Sequence, residues 1–266
     1  MLSIIIVNYK NPPLLRLCLK SLTRVLPLSF SHEIIVVDVA AEPETGHIAT
    51  DEFAGIRYLP FKHNIGYTRG VNEGIKAARG DTVFIANADI IPLTGSLEAM
   101  YTHMSAHPEI GLLGPQLLNF DGSNQQSCFR FYTPLTILCR RTFIGRLPFA
   151  RRILERFAMQ DKDLSKPTAA DWLTGSALMA SKKAIERVGP MDERLFLYFS
   201  DVDWPRQFWE NGYQVVFYPA ARMYHYHGRF SRGNVLQVVT NRFTRMHIAD
   251  GIRYFRKYGF APHSYI

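Results

Sequence analysis

Apolar residues along this chain come in short unbroken runs that alternate with stretches spaced at the helical period. Leu2-Ser3-Ile4-Ile5-Ile6-Val7 is the first run, β-branched and without alternation, as a strand buried on both faces requires. Asn8 to Pro13 breaks it, and proline suits the first turn of a following helix. Leu14, Leu15, Cys18, Leu19 and Leu22 then recur at helical spacing. Glu33 to Asp38 predicts a second buried strand ending in a carboxylate, and Ile56 to Pro60 a third, shorter one. Asn64 to Ala78 reads as the glycine-dotted opening of a helix, after which Gly80-Asp81 turns the chain into another strand. That strand, from Val83, stops abruptly at the polar cluster Asn87-Ala88-Asp89. The order β-α-β-β-α-β predicts an α/β fold with a mostly parallel sheet and helical crossovers.

The second half has a different texture. Leu97, Met100, Tyr101 and Met104 form a helical stripe, and Ile110 to Gly114 predicts a strand. Residues 121–166 are irregular, basic and aromatic, yet Leu147, Ala150, Ile153, Leu154 and Phe157 make one apolar face opposite Arg146, Arg151, Arg152 and Arg156. An apolar, small-residue segment from Trp172 to Ala180 precedes a short helix, Lys182 to Val188. Pro205 is tolerated in a helix's first turn, which predicts a helix beginning close to Asp203. Tyr213 to Tyr218 predicts a strand, followed by Met223-Tyr224-His225-Tyr226-His227-Gly228. Val235, Val239, Phe243, Met246, Ala249 and Ile252, interspersed with arginines, predict a helical tail. No internal repeat or low-complexity linker interrupts the 266 residues, which read as one domain.

Composition sharpens this picture. Hydrophobic residues at 47% and charged residues at 20% suit a globular protein with a full core. The excess of Lys and Arg, 31 against 23 acids, gives a net charge of +8. Such a balance favours phosphate-bearing ligands, nucleic acid or an anionic membrane surface. Nucleic acid is set aside, since no aromatic–basic motif of known spacing accompanies the charge. Cys18, Cys128 and Cys139 are scattered and odd in number, which points to a reducing compartment. No run approaches the roughly 18 apolar residues that span a bilayer, and Leu2 to Val7 lacks a basic leader. These bounds describe a cytoplasmic protein. The basic amphipathic stretches at 145–158 and 235–257 suit solvated helices and equally a peripheral contact with the inner face of a membrane.

Three carboxylates, Asp38, Asp89 and Asp201, fall at predicted strand ends or helix starts. Each alone suits a plain helix cap or turn. In an open α/β sheet, however, ligands sit in the crevice outside the carboxyl ends of the strands. Gly66 and Gly70 permit close backbone approach at a helix N-terminus, where anions bind. The spacing is neither that of a dinucleotide fingerprint nor that of a P-loop. Asp89 holding Mg²⁺ or Mn²⁺ would offset a phosphate there, since such ions favour one or two carboxylates plus substrate phosphates.

Taken together, the ordered motifs resemble an inverting family 2 glycosyltransferase. They are Val7-Asn8-Tyr9, Val37-Asp38, Asn64-x-Gly66-Tyr67-x-x-Gly70-x-Asn72-x-Gly74 and Asn87-Ala88-Asp89, followed by Trp172-Leu-x-Gly175, Val188-Gly-x-Met-Asp192-Glu193, Ser200-Asp201-Val-Asp203 and His225/His227-Gly228. The set spans roughly residues 2 to 231 and is most similar to bacterial rhamnosyltransferase-like members. The resemblance implies a GT-A (Rossmann-like) fold: a mixed, mostly parallel sheet flanked by helices, with a helical C-terminal tail. It divides the chain into a nucleotide-sugar-binding half (1–95), an acceptor-binding half (96–231) and the tail (232–266). It implies a nucleotide-diphospho-sugar donor such as dTDP-rhamnose, a divalent metal, and a lipid-linked or growing glycan acceptor in cell-surface polysaccharide synthesis.

Residue by residue, the resemblance assigns Val7, Asn8, Tyr9, Asp38, Asn64, Gly66, Arg69, Asn72 and Asn87 to the nucleotide sugar. Trp172, Gly175 and Asp203 fall to the sugar and acceptor pocket, Asp89 and His225 to the metal, and Asp201 to the catalytic base. Inverting transfer needs such a base to take the acceptor hydroxyl's proton. Trp172 suits a core position as well as the pocket, and His227 competes with His225 for the metal. Val39 stands where relatives carry a polar residue, and Ser200 where they carry a glutamate. Two other readings stay open: a nucleotidyltransferase, and a non-catalytic nucleotide-sugar or glycan-binding partner of an active homologue.

Overall fold

β1 (Leu2–Asn8) is buried along its whole length, because it is flanked on both sides by strands and covered on both faces. Its neighbours are β2 (His32–Asp38) and β4 (Thr82–Asn87), both parallel to it, and β3 (Ile56–Pro60) continues the sheet beyond β2. The computed structural model describes residues 1–226, 241–260 and 263–266. His227, Val235 and Val239 therefore lie outside the described residues.

The nine-stranded sheet has the order β3-β2-β1-β4-β10-β6-β11-β5. Here β5 is Ile90–Pro92, β6 Ile110–Leu118, β10 Ala177–Ser181 and β11 Gln214–His225, with β8 (Thr168–Ala169) pairing on β11. β6 and β11 are parallel to one another, whereas β10 runs antiparallel to both β4 and β6, and β5 antiparallel to β11. β1, β2 and β4 thus end at one edge, in Asn8, Asp38 and Asn87. The chain order reverses at β1, which is where an α/β sheet opens its crevice. A separate two-stranded sheet pairs β7 (Cys128–Phe129) with β9 (Trp172–Leu173).

Helices cover the sheet as their sequences dictate. α1 (Pro12–Val25) starts behind Asn11, whose side chain accepts the Leu14 amide, and buries Leu15, Cys18, Leu19 and Leu22. α2 is Pro43–His47, α3 Tyr67–Ala77 and α4 Ser96–Ala106. α3 can lie tight on the sheet because it presents glycines. A Cβ on Gly70 would stand 2.5 Å from the Val39 side chain, and one on Gly74 would collide with Ile5. The apolar Val39 is accordingly core, 2% exposed.

The irregular stretch resolves into α5 (Pro134–Arg141), a 3₁₀ turn (Phe143–Arg146) and α6 (Pro148–Phe157). α7 (Lys182–Val188) has the predicted bounds. Two expectations are corrected. α8 spans Ser200–Glu210, so Pro205 lies in its second turn, not its first, and withholds one intrahelical hydrogen bond. β11 does not stop at Tyr218: it runs on to His225 across a register shift between Tyr218 and Arg222, and pairs with the unpredicted β5. The final helix, α9 (Arg242–Tyr258), is capped by Asn241. No described helix is long and apolar enough to cross a membrane.

Gly70→Ala tests the packing of α3. In an open helix the change would stabilise by about 1 kcal/mol. Overpacking against a stiff, buried valine costs about 1–3 kcal/mol and wins. Thermal unfolding is expected to fall by roughly 2–6 °C and to recover when Val39→Ala is added.

Candidate active site

Two carboxylates face the sheet edge from opposite sides of one turn. β10 enters the sheet antiparallel to β4 with Ala177 opposite Ala86, and the Asn87 amide donates to the Ser176 carbonyl at 3.0 Å. The residues preceding β10, Gly175 and Ser176, are thereby set beside the end of β4, from which Asp89 follows. Asp201 reaches the same turn from the first turn of α8, where the Gly175 amide lies 3.4 Å from its Oδ2. A Cβ on Gly175 would stand 2.7 Å from the Asp201 Cβ, so only glycine permits this approach. The Tyr67 hydroxyl donates to the Gly175 carbonyl at 2.6 Å and holds the turn from the N-terminus of α3.

Asp201 makes no ion pair among the described residues, and burial pushes its carboxyl up to about 6. The buried Tyr67 phenol is pushed upward by its own burial and by the Asp201 charge. Phe199, just before α8, adopts a left-handed backbone with φ of 62°. That conformation costs a bulky residue about 1–3 kcal/mol. It is held by packing: the Phe199 ring contacts Tyr132 and Tyr254, and Gly251 of α9 leaves room for it. Asp250 of α9 accepts the Leu197 and Tyr198 amides at 3.3 and 3.1 Å.

Asp89 meets His225 because β5 returns antiparallel along β11, pairing Ile90 with His225. The Asp89 Oδ2 and His225 Nε2 are 3.7 Å apart, and burial pushes the Asp89 carboxyl up to about 6. Its other oxygen, Oδ1, is buried with no hydrogen-bond partner among the described residues. Gln125 sets the histidine. Its Nε2 faces three acceptors, the carbonyls of Leu118 and His225 and the Asn119 Oδ1, so its Oε1 is the atom 2.9 Å from His225 Nδ1. Nδ1 must then carry the proton, and in the neutral ring Nε2 presents a lone pair toward a carboxylate. Two electron-rich groups held together with an orphaned oxygen fit a divalent cation, which would take Asp89 and His225 as protein ligands. No group of three or more His, Cys, Asp or Glu able to hold a metal ion exists among the described residues, so the remaining ligands would be phosphate and water.

The other expected residues divide. Tyr9, Asn64 and Arg69 are exposed, and Asn87 is half-buried at the end of β4. Asn64 accepts the Gly66 amide at 2.9 Å, and Gly66, at φ of 81°, is pressed against Phe196. Val7, Asn8 and Asp38 are buried beneath this edge. Asn8 and Asp38 bond each other, and Tyr58 donates to Asp38 at 3.0 Å.

Three expected site residues are engaged within the fold. Asn72 is 2% exposed and spends its amide on the Met191 backbone and Glu193, so it clamps that segment. Asp203 is 1% exposed, accepts from Gln207 and pairs with Lys257 at 2.7 Å, anchoring α9. Trp172 is core, stacked on Phe129 with its indole donating to the Arg130 carbonyl. Tyr67 belongs to the glycine-dotted motif, but its bond to the Gly175 carbonyl is tertiary, and Gln125 belongs to no motif. Gln125 lies in the irregular stretch, where nothing in a single sequence marks it. The hydroxyls of Ser176 and Ser200 beside the two carboxylates are buried without a partner among the described residues.

The family model for glycosyl transferase family 2 matches residues 3–186, more than half of the chain. An N-acetylglucosaminyl-diphospho-decaprenol L-rhamnosyltransferase of Mycobacterium tuberculosis is 29% identical over 238 residues, covering 85% of this chain and 76% of that protein. A low-salt glycan biosynthesis hexosyltransferase, Agl10, of Haloferax volcanii is 28% identical over 210 residues, covering 76% and 59%. Among solved structures, GalNAc-T7 with UDP, GalNAc and Mn²⁺ superposes with a TM-score of 0.69 at 15% identity. The match covers 96% of this chain and 48% of that one, so this chain spans about half its length. The mixed sheet, its flanking helices and the C-terminal helix are a GT-A fold. By its ordered motifs, its fold and the family match over residues 3–186, the chain belongs to glycosyl transferase family 2.

Proposed function

We propose that the protein is an inverting, divalent-metal-dependent glycosyltransferase. It would move a hexose, rhamnose foremost, from a nucleotide-diphospho-sugar to a lipid-linked or growing glycan in bacterial cell-surface glycan synthesis. The observation that carries this reading is the pair of unlike carboxylates about the Gly175 turn: Asp201 with no ion pair among the described residues, and Asp89 with its Oδ2 3.7 Å from His225 Nε2. The named activity of the mycobacterial relative supports the choice of sugar and of a lipid-diphosphate acceptor.

In this reading Asp201 takes the proton of the acceptor hydroxyl as that oxygen attacks the anomeric carbon. Gly175 and Tyr67 keep the carboxylate in place. Asp89 and His225 would hold the cation, which supplies the charge that stabilises the leaving diphosphate. Tyr9, Asn64, Arg69 and Asn87 are the accessible polar groups for the nucleotide sugar, over a floor of Val7, Asn8 and Asp38.

Asp201→Asn is expected to lower kcat by about 10²–10⁴-fold while nucleotide-sugar binding persists, measured by transfer assay and calorimetry. Because the base and the metal-holding carboxylate both work deprotonated, wild-type kcat/KM should rise with pH through the region near 6, where both carboxyls ionise, and level off above it.

The raised ionisation of Asp201 carries a stability signature. The stabilising protonated form is fully present below the ordinary aspartate value and is lost as pH rises through about 6. Asp201→Asn should therefore melt roughly 2–6 °C higher than wild type at pH 8, with the difference vanishing below pH ~4.

Metal dependence is read by titrating Mn²⁺ with nucleotide sugar and following thermal unfolding. Asp89→Ala should abolish the Mn²⁺-dependent shift, and Gln125→Ala should raise the Mn²⁺ needed by about 10–100-fold. Full activity in a chelator would refute the metal.

A further inference from the structure

We infer that the helical hairpin of α5, the 3₁₀ turn and α6 docks the protein on an anionic lipid bilayer. Its apolar side chains point outward where a solvated hairpin would hide them. Leu135 is 47% exposed, Leu138 43%, Phe143 77%, Leu147 42% and Phe149 53%. Exposed apolar side chains concentrated in one short segment mark an interaction site. Arginine dominates the charge around it: residues 134–157 contain Arg140, Arg141, Arg146, Arg151, Arg152 and Arg156 against the one acid Glu155, which pairs with Arg151 at 2.7 Å. Apolar side chains flanked by arginines are what an interface of acyl chains and anionic headgroups accommodates.

Two further features favour a bilayer. A cavity of about 670 Å³ between α5 and α6 is lined by Arg140, Arg146 and the Arg151–Glu155 pair above Phe129 and Phe157; Arg140 and Arg146, which make no ion pair among the described residues, suit a phosphate headgroup over an apolar floor. The neighbouring α9 adds exposed Ile248 and Ile252 to the surface, and it touches the hairpin where Arg141 meets His247 at 3.2 Å. A second copy of this chain fits less well, because a two-fold contact on this face would set arginines against arginines. The hairpin also stands beside the chemistry: Tyr132, just before α5, packs on Phe199, two residues before Asp201. A protein docked here would turn its base toward a hydroxyl carried at the membrane surface.

The experiment is co-sedimentation of the whole chain with vesicles of phosphatidylcholine, alone or mixed about 2:1 with phosphatidylglycerol. Binding to the anionic vesicles only, weakening as salt is raised, is the expected result. Phe143→Ser/Phe149→Ser and, separately, Arg146→Gln/Arg151→Gln/Arg152→Gln should each weaken that binding by about tenfold or more, with the nucleotide-sugar thermal shift unchanged. No binding by wild type, equal binding to neutral vesicles, or unaltered binding by both variants overturns the proposal. So does a concentration-dependent dimer that Phe143→Ser/Phe149→Ser abolishes, which would make the face an interface between copies. Vesicle binding needs no nucleotide sugar, so its outcome is independent of the glycosyltransfer reading.

Discussion

One constraint runs through the candidate site: the fold holds the Asp201 carboxyl in a half-buried position with no ion pair among the described residues, and burial pushes its ionisation up to about 6. A cation beside it would pull that ionisation down, and full solvation would do the same. The fold instead surrounds it with a glycine backbone, a phenol and aromatic rings. That choice has structural costs, and they are visible: a left-handed Phe199, a turn that accepts only glycine at 175, and serine hydroxyls without partners among the described residues. They persist because the aromatic cluster around Phe199 and the contacts from α9 over-determine the segment.

The sheet supplies the second requirement, which is to bring residues remote in sequence to one edge. Parallel β1, β2 and β4 deliver the ends of their runs there directly. The reversed strand β10 delivers Gly175 to the same edge from the other half of the chain. The small reversed strand β5 turns Asp89 toward the far end of β11, where His225 waits. Antiparallel insertions in a parallel sheet are thus what make the site possible, since a purely parallel arrangement would leave these two acids on unrelated turns.

Much of the framework was legible in the sequence. The first four strands, α1, α3 and α7 follow from unbroken apolar runs, proline positions and helical spacing, because in these segments local preference and burial agree. The failures have a common physical origin. β5 and the extension of β11 are stabilised by each other and carry too little local pattern to announce themselves. Pro205 misled because a lost hydrogen bond in the second turn of α8 is tolerated where the helix is packed on both sides. Asn72 and Asp203 match site motifs by type, and each is bonded to a distant segment, Met191 in one case and Lys257 in the other. Gln125 and the contact of Gly175 with Asp201 are purely tertiary. A motif names a residue type at a position; only the fold decides what that residue touches.

The dependence of Phe199 and Asp203 on α9 also bears on how the protein is made. A chain growing from its N-terminus completes β1 to β4 early, and can fold that part as it emerges. The strained segment ahead of Asp201 has no such option, because Asp250, Gly251 and Lys257, which hold it, are translated some fifty residues later. The edge formed by β1, β2 and β4 is therefore in place before Asp201 is fixed, and an unfinished polypeptide holds the one without the other.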